Sequence, residues 1–490
     1  MRSTSPYARS RAAQAHWARL DVAERAERLR PAAQRLAEGV DQFADLIHEE
    51  NGKPKFEAVA HEVSASIGYL RWLLSEAPEL LQTRGVSMGI LPHRKAEIQR
   101  VPWGTVLIIG PWNVPLFIPL AQVASALVAG NAVVLKPSEV TPRCAEIIAE
   151  VFGACDLPEG LLQVLGGDGS VGAKLIRQKP DKVLFTGSVA TGRKVMAACA
   201  RHPIPVTLEL GGIDAMIVCD DADLEFASSA AAWGATFNGG QVCASVERLI
   251  VQDSIRERFL SLVADKLERI NVHEDLGPMT FDGQRAVYDA HLQDARERGL
   301  EFPTGGRWLG ERHFAPTLVT GEGAAESALW CEETFGPMVV AVPFGEDADA
   351  VRLHNSVPFG LTASVFTRDA SRARAIASEL RVGMVSVNEI AATLFSQPEL
   401  PWGGVGASGF GRSHGAEGLV DCTWPRVVEQ ARMPGMDFKR LWWYPYGPRQ
   451  EKTVAALGRS LAPGERLKQW SHLAEAGMAA VSALTGRARL

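Results

Sequence analysis

Thr105-Val-Leu-Ile-Ile109 is a short β-branched and apolar run that ends in Gly110-Pro-Trp-Asn113. Such runs are too short for a helix and read as buried strands. Three more follow: Ala132-Val-Val-Leu135, Gln163-Val-Leu165 and Lys182-Val-Leu-Phe185. Helical stretches rich in Ala, Leu and Ile separate most of them. This alternation predicts an α/β fold with a parallel, doubly wound sheet. Ligands of such sheets bind beyond the carboxyl ends of the strands. The polar and glycine-rich groups stand there: Pro111-Trp-Asn113, Lys136-Pro-Ser-Glu139 and Thr186-Gly-Ser188.

On the N-terminal side, residues 7–80 read as helices. Asp21-Val-Ala-Glu24 is a helix start, with a capping acid and a Glu three residues on. Asn51-Gly-Lys-Pro54 is a break between helices. Residues 93–102 read as extended. On the C-terminal side, a second α/β region is expected to begin near Val206-Thr-Leu-Glu-Leu210 and Ala215-Met-Ile-Val218 and to run to about Gly411. Val427-Val-Glu429 reads as a lone strand. The aromatic segment Leu441-Trp-Trp-Tyr-Pro-Tyr446 and a helical tail follow it.

Bulk composition narrows the function classes. The chain has 490 residues, 46% of them hydrophobic and 22% charged, with a net charge of −6. It is long enough for two or three domains. Acids and bases are interspersed, so there is no basic face for nucleic acid. The 7 cysteines are odd in number and form no C-x-x-C, which fits a reducing compartment better than a disulfide framework. Residues 1–20 carry several Arg and Ser and no acid. A first surface helix is the favoured reading and a transit peptide the alternative. No stretch reaches the roughly 20 apolar residues of a transmembrane helix, and Leu473 to Leu484 is too short to span. The expected location is cytoplasmic. The 11 His do not cluster at ligand spacing and H-E-x-x-H is absent, so no metal site is expected.

Several residues carry candidate chemistry. Gly167-Asp-Gly169-Ser-Val-Gly172 matches G-x-G-x-x-G, but it follows the third run and no acid ends a strand about 20 residues later. It is therefore weak as a dinucleotide fingerprint. Gly187-Ser188 opens a second strand-to-helix loop, and a helix start with Gly and Ser binds phosphate through backbone N–H groups. Glu139 could take ribose hydroxyls. Cys199 and Cys219 lie in apolar stretches and read as structural. Cys243 differs, because Asn238-Gly-Gly-Gln-Val-Cys243 surrounds it with polar and small residues. A helix N-terminus there would lower its pKa toward the reactive thiolate. Glu209, between two leucines on an expected strand, is either a desolvated general base or a salt-bridged strand Glu.

Six motifs in order resemble the aldehyde dehydrogenase superfamily: Pro111–Pro115, Lys136–Glu139, Phe185–Ser188, Leu208–Gly212, Asn238–Cys243 and Glu332–Pro337. The resemblance covers roughly residues 10–430. It implies that Cys243 is the catalytic thiol and that Glu209 activates the deacylating water. It implies an oxyanion hole made by the Asn113 amide and the Cys243 N–H. Lys136 and Glu139 would hold the adenosine ribose, and Ser188, beside Gly187, the pyrophosphate. Glu333 and Phe335 would hold the nicotinamide ribose and ring, with Ile109 and Trp112 as backbone-level cofactor contacts. Gly169 falls where the family makes an adenine-side contact.

The implied reaction is oxidation of an aldehyde to the carboxylic acid, with NAD as cofactor and NADP as the alternative. A Glu at 209 argues against an acylating enzyme that uses coenzyme A, and the intact set Asn113, Glu209, Cys243 against a non-catalytic binding protein. The short N-terminal segment and the tail are similar to the class 3 and fatty aldehyde dehydrogenase branch. That branch implies aromatic or medium- to long-chain aliphatic aldehydes. The expected domains are an NAD(P)-binding domain (1–80 and 101–208), a catalytic domain (209–412), a small β oligomerisation element (81–100 and 413–435) and a tail (436–490). A homodimer or homotetramer is expected, and the tail reads as a packing helix rather than a peripheral membrane contact.

Overall fold

The computed structural model describes residues 5–89, 94–432, 444, 446–461, 473, 474 and 477. Most of the aromatic segment after 440 and of the tail expected near 473–484 lies outside these residues, as do residues 1–4. The chain divides into two compact units, one of residues 1–82 and 100–424, the other of residues 83–99 and 425–490.

The strands, in chain order, are β1 (Arg84–Val86), β2 (Arg94–Pro102), β3 (Thr105–Ile109), β4 (Ala132–Lys136), β5 (Leu162–Val164), β6 (Lys182–Thr186), β7 (Val206–Glu209) and β8 (Asp214–Val218). They continue with β9 (Val246–Gln252), β10 (Glu301–Thr304), β11 (Thr317–Thr320), β12 (Met338–Phe344), β13 (Thr362–Phe366), β14 (Met384–Val387), β15 (Gly409–Phe410) and β16 (Thr423–Ala431).

In the larger unit, one sheet has the order β15-β7-β6-β3-β4-β5. All its pairings are parallel except β15 with β7. Counted from β3, the parallel strands run 3-2-1-4-5, the order of a dinucleotide-binding half-sheet. The chain reverses direction across the sheet between β3 and β6, and the crevice beyond their carboxyl ends is where such sheets bind ligands. β4 is buried along its whole length, and so is the helix Phe117–Val128. This explains their continuous apolar sequences: helices cover both faces of the sheet.

The second sheet has the order β10-β11-β12-β9-β8-β13-β14. It is parallel apart from β10 at its edge. One expectation is corrected here. Val206–Leu210 does not open the second region: β7 pairs with β6 and belongs to the first sheet, and β8 opens the second. An apolar run shows that a strand exists but not which sheet takes it.

The N-terminal helices form as read. Asp21 caps Val22–Glu38 by accepting the Glu24 N–H at 2.7 Å, and Gly52 ends Val40–Asn51 with φ +90°. A one-turn helix (Lys55–Glu57), a π-helical stretch (Ala58–Ser64) and a long helix (Ala65–Leu80) follow. In the smaller unit, β1, β2 and β16 make a three-stranded sheet, so the strand around Val427 is not lone. Among the described residues no helix is long and apolar enough to cross a membrane.

Candidate active site

A cavity of about 660 Å³ lies beyond the carboxyl ends of β3, β4 and β6. Every site residue expected from the sequence lines it: Ile109, Trp112, Asn113, Lys136, Glu139, Gly169, Gly187, Ser188, Glu209, Cys243, Glu333 and Phe335. They come from segments spread over more than 200 positions, and the strand ends gather them.

One end of the cavity is polar and suits phosphate and ribose. Ser188 caps the helix Val189–Ala200, its hydroxyl accepting the Thr191 N–H at 3.4 Å. That helix N-terminus carries a partial positive charge. Lys136, buried at the end of β4, donates to Glu139 at 2.6 Å. Burial raises the Glu139 carboxyl, but the Lys136 ammonium outweighs it and holds the group below its ordinary value. Asp168 caps the helix Gly169–Arg177, whose first turn meets the same end.

The other end holds Cys243. The residue is half-buried and lines the cavity. No helix begins at it: Cys243 lies in the turn between the 3-10 segment Phe237–Gly240 and β9. The expected helix N-terminus is therefore absent. Burial pushes the thiol pKa up, and Asp214, Glu333 and Glu209 add to the rise. Glu209, at the end of β7, is 6% exposed, and neither of its carboxylate oxygens has a hydrogen-bond partner. It is not the salt-bridged strand Glu of the alternative reading. Burial drives its pKa well above the ordinary carboxylate range, against the opposing Arg412 charge. A desolvated, unpartnered carboxyl is the state a general base needs.

Asn113 is buried, and its amide donates to the Gln241 carbonyl at 3.0 Å. This bond uses one of the two amide hydrogens and orients the other. The Glu333 carboxyl accepts the Gly212 N–H at 3.0 Å, and burial raises its pKa to about 7. Phe335 stands edge-on to Trp112 with ring centres 5.4 Å apart. Its backbone is in the left-handed region at φ +55°, a strained state for an aromatic residue. The buried Glu247 carboxyl holds that turn, accepting the Thr334 and Phe335 N–H groups at 2.8 Å each.

Residues 4–428 match the model of the aldehyde dehydrogenase family. The chain belongs to that family.

A 4,4'-diapolycopene aldehyde oxidase from Methylomonas sp. is 40% identical over 446 residues, 89% of this chain and 83% of that protein. A protein of Mycolicibacterium smegmatis that bears the name of an NADP+-dependent succinate-semialdehyde dehydrogenase is 34% identical, over 88% of this chain and 85% of its own. The crystal structure of an NAD-dependent aldehyde dehydrogenase from Sinorhizobium meliloti superposes with a TM-score of 0.84 at 30% identity, covering 88% of each chain.

Some residues that build this aldehyde dehydrogenase site escaped the sequence reading. Glu247 is one: an acid inside the apolar strand Val246–Gln252 was the available signal. Lys53, Glu57 and Glu62 are others, all buried beneath the Asn113 loop. Asn51–Pro54 was legible only as a helix break.

Proposed function

We propose that the protein oxidises an aldehyde to the carboxylic acid through a thioester on Cys243, with NAD as hydride acceptor and NADP as the alternative. The observation that carries this reading is the meeting of Cys243, Glu209 and Asn113 at one end of a cavity whose other end offers a helix N-terminus and the Lys136–Glu139 pair. The cavity's size is that of a small-molecule site. Its donor set fits a dinucleotide: Ser188 and Gly187 for pyrophosphate, Lys136 and Glu139 for the adenosine ribose, Gly169 on the adenine side. Glu333 and Phe335 fit the nicotinamide ribose and ring, beside the backbone at Ile109 and Trp112. A nicotinamide held there supplies the two-electron acceptor for the hydride that leaves the aldehyde carbon.

The chain's own residues do the rest. The Cys243 thiol yields its proton to the Glu209 carboxylate, which releases it to water; Sγ then forms a bond to the aldehyde carbon, and the carbonyl electron pair moves onto oxygen. The free Asn113 N–H and the Cys243 backbone N–H receive that charge; removing one such donor typically costs about 100-fold or more. Loss of hydride leaves a thioester on Cys243. Glu209 takes a proton from water, the hydroxide adds to the thioester carbon, and the C–S bond breaks to release acid and thiolate. A base at this position supports hydrolysis over transfer to coenzyme A.

The substrate end supports an apolar aldehyde, aromatic or of medium to long chain. Val114, Ile118, Phe237, Val242, Phe395 and Trp402 line a small second cavity, of about 30 Å³, that shares Ile118 and Cys243 with the first. Its cation, Lys53, is already paired with Glu62 at 2.6 Å, and burial lowers the His61 pKa to about 4, leaving that ring neutral. A carboxylate-bearing aldehyde would find no free positive charge there.

In this reading residues 1–80 and 101–208, the N-terminal helices with β3 to β7, are the cofactor domain and 209–412 the catalytic domain. The edge strand β16, with Val427 65% exposed, supports a self-association element in a homodimer or homotetramer. The free cysteines support a reducing, cytoplasmic setting. The test is NADH or NADPH formation without coenzyme A across short, long-chain, aromatic and diapolycopene-type aldehydes. Cys243→Ala is expected to abolish turnover and keep cofactor binding. Retained turnover in that variant would overturn the mechanism.

A further inference from the structure

Lys53, Glu57 and Glu62 stand on the break, the one-turn helix and the π-helical stretch that follow the third helix, far in sequence from the cavity residues. Glu62 is fully buried and Lys53 is 4% exposed. The Lys53 ammonium donates to Glu62 Oε1 at 2.6 Å and to the Asn113 backbone carbonyl at 2.9 Å. Glu62 Oε2 accepts the N–H groups of Leu116 at 3.0 Å and Phe117 at 2.8 Å. One ion pair therefore grips both ends of the Asn113–Phe117 segment, where the helix Phe117–Val128 begins. Glu57 holds the second loop. Its carboxyl accepts the Asn238 N–H at 3.1 and 3.2 Å. Asn238 has φ +53°, and its amide donates to the carbonyls of Asn113 and Gln241 at 3.1 Å each. The Gln241 carbonyl is also the acceptor that orients the Asn113 side chain.

Glu62 lies within the π-helical stretch Ala58–Ser64, and Glu57 stands immediately before it. Such stretches are frequent at functional sites. Stability does not account for the pair, because replacing a buried ion pair by neutral residues of similar size is often neutral or stabilising. What it does here is geometric. Together with Glu57, it joins the Asn113 loop and the loop leading to Cys243 to one short segment, residues 53–62.

We infer that Lys53, with Glu62, is a positioning residue that aims the Asn113 amide at the oxygen of the aldehyde bound at Cys243, and that Glu57 sets the facing loop. This rests on the oxyanion role proposed above for Asn113.

The test is a double-mutant cycle on the full chain. The paired change Lys53→Met with Glu62→Gln removes both charges together and avoids stranding one. It is compared with Asn113→Ala and with the combination of all three. The readouts are the rate of the first NADH turnover, the KM values, the affinity for NADH and the melting temperature. The paired variant is expected to lose about 100-fold in first-turnover rate with KM and NADH affinity within about twofold. The combination is expected to be no slower than Asn113→Ala alone, because residues acting through one another are not additive. If the paired variant does not fold, Lys53→Arg, which keeps the charge and displaces the donor, enters the same cycle with the same expectation. Multiplicative losses, a loss confined to KM, or wild-type turnover would overturn the inference. A harmless Asn113→Ala would instead overturn the oxyanion reading.

Discussion

Glu333 reaches across the cavity floor to accept the backbone N–H of Gly212 at 3.0 Å. The contact requires a bare backbone beside it. A Cβ on Gly211 would overlap both Glu333 oxygens. Gly211 is not among the residues with positive φ, so an alanine there brings no backbone strain. Gly211→Ala should act by displacing the Glu333 carboxyl. Under the proposed reading, NADH affinity falls about tenfold, the order of one charge-assisted hydrogen bond. An unchanged affinity, measured by NADH fluorescence, would remove Glu333 from the cofactor's ribose.

Glu209→Gln separates the two halves of the reaction. Glutamine keeps the shape and cannot take a proton from water. The expected trace is a burst of about one NADH per Cys243 followed by turnover slowed about a thousandfold, within the range of general-base contributions. Because burial raises the Glu209 carboxyl, the wild-type hydrolysis rate should climb with pH, its midpoint lying above the ordinary carboxylate range. Steady turnover in Glu209→Gln would assign the base elsewhere.

Much of this site is legible in the sequence for a physical reason. β3, β4 and β6 are buried on both faces, so they are written as unbroken apolar runs, and their polar ends then stand out. Asn113, Lys136 and Ser188 are found this way. What stays hidden is partnership. Val206–Leu210 is plainly a strand, yet nothing in it says that β6 is its neighbour. Val427 alternates like a strand but does not name β2. Glu62 looks like an ordinary helical surface charge, and Lys53 like part of a helix break, until Asn113, Leu116 and Phe117 are brought to them. Glu247 was the softer miss, since an acid embedded in β9 must find donors when buried.

Glu139 tests the cofactor preference. Its carboxyl, 2.6 Å from the Lys136 ammonium, stands where an adenosine ribose would lie in the proposed reading. A 2′-phosphate there would meet a like charge. The side chain is 51% exposed, so water screens the repulsion to about 1 kcal/mol. Glu139→Gln should therefore raise kcat/KM for NADP+ relative to NAD+ about fivefold. An unaltered ratio would place the 2′ position elsewhere.

Glu57 links the site to the stability of the fold. Burial raises its carboxyl to about 7, against the opposing Lys53 charge and the Asn238 hydrogen bond, from an ordinary 4.5. A folded-state pKa above the unfolded one means that the folded protein binds the extra proton. The resulting stabilisation is complete below about pH 4.5 and disappears as pH rises through about 7. Asp214 and Glu333, both raised to about 7 by burial, act in the same direction. His61 and His414, lowered by burial to about 4 and about 3, act oppositely, and their contribution is lost as pH falls below about 6.5. The melting temperature of the cofactor-free protein should thus decline as pH rises from about 6.5, where the histidine contribution is complete, through about 7, and then level off. Glu57→Gln cannot ionise and still offers an oxygen to the Asn238 N–H. Its melting temperature should fall less steeply as pH rises, so the variant gains on the wild type between about pH 4.5 and about pH 7 and holds that gain above it. Parallel curves, recorded by circular dichroism at matched ionic strength, would mean that Glu57 is already ionised in the folded chain and that Lys53 serves both acids at once.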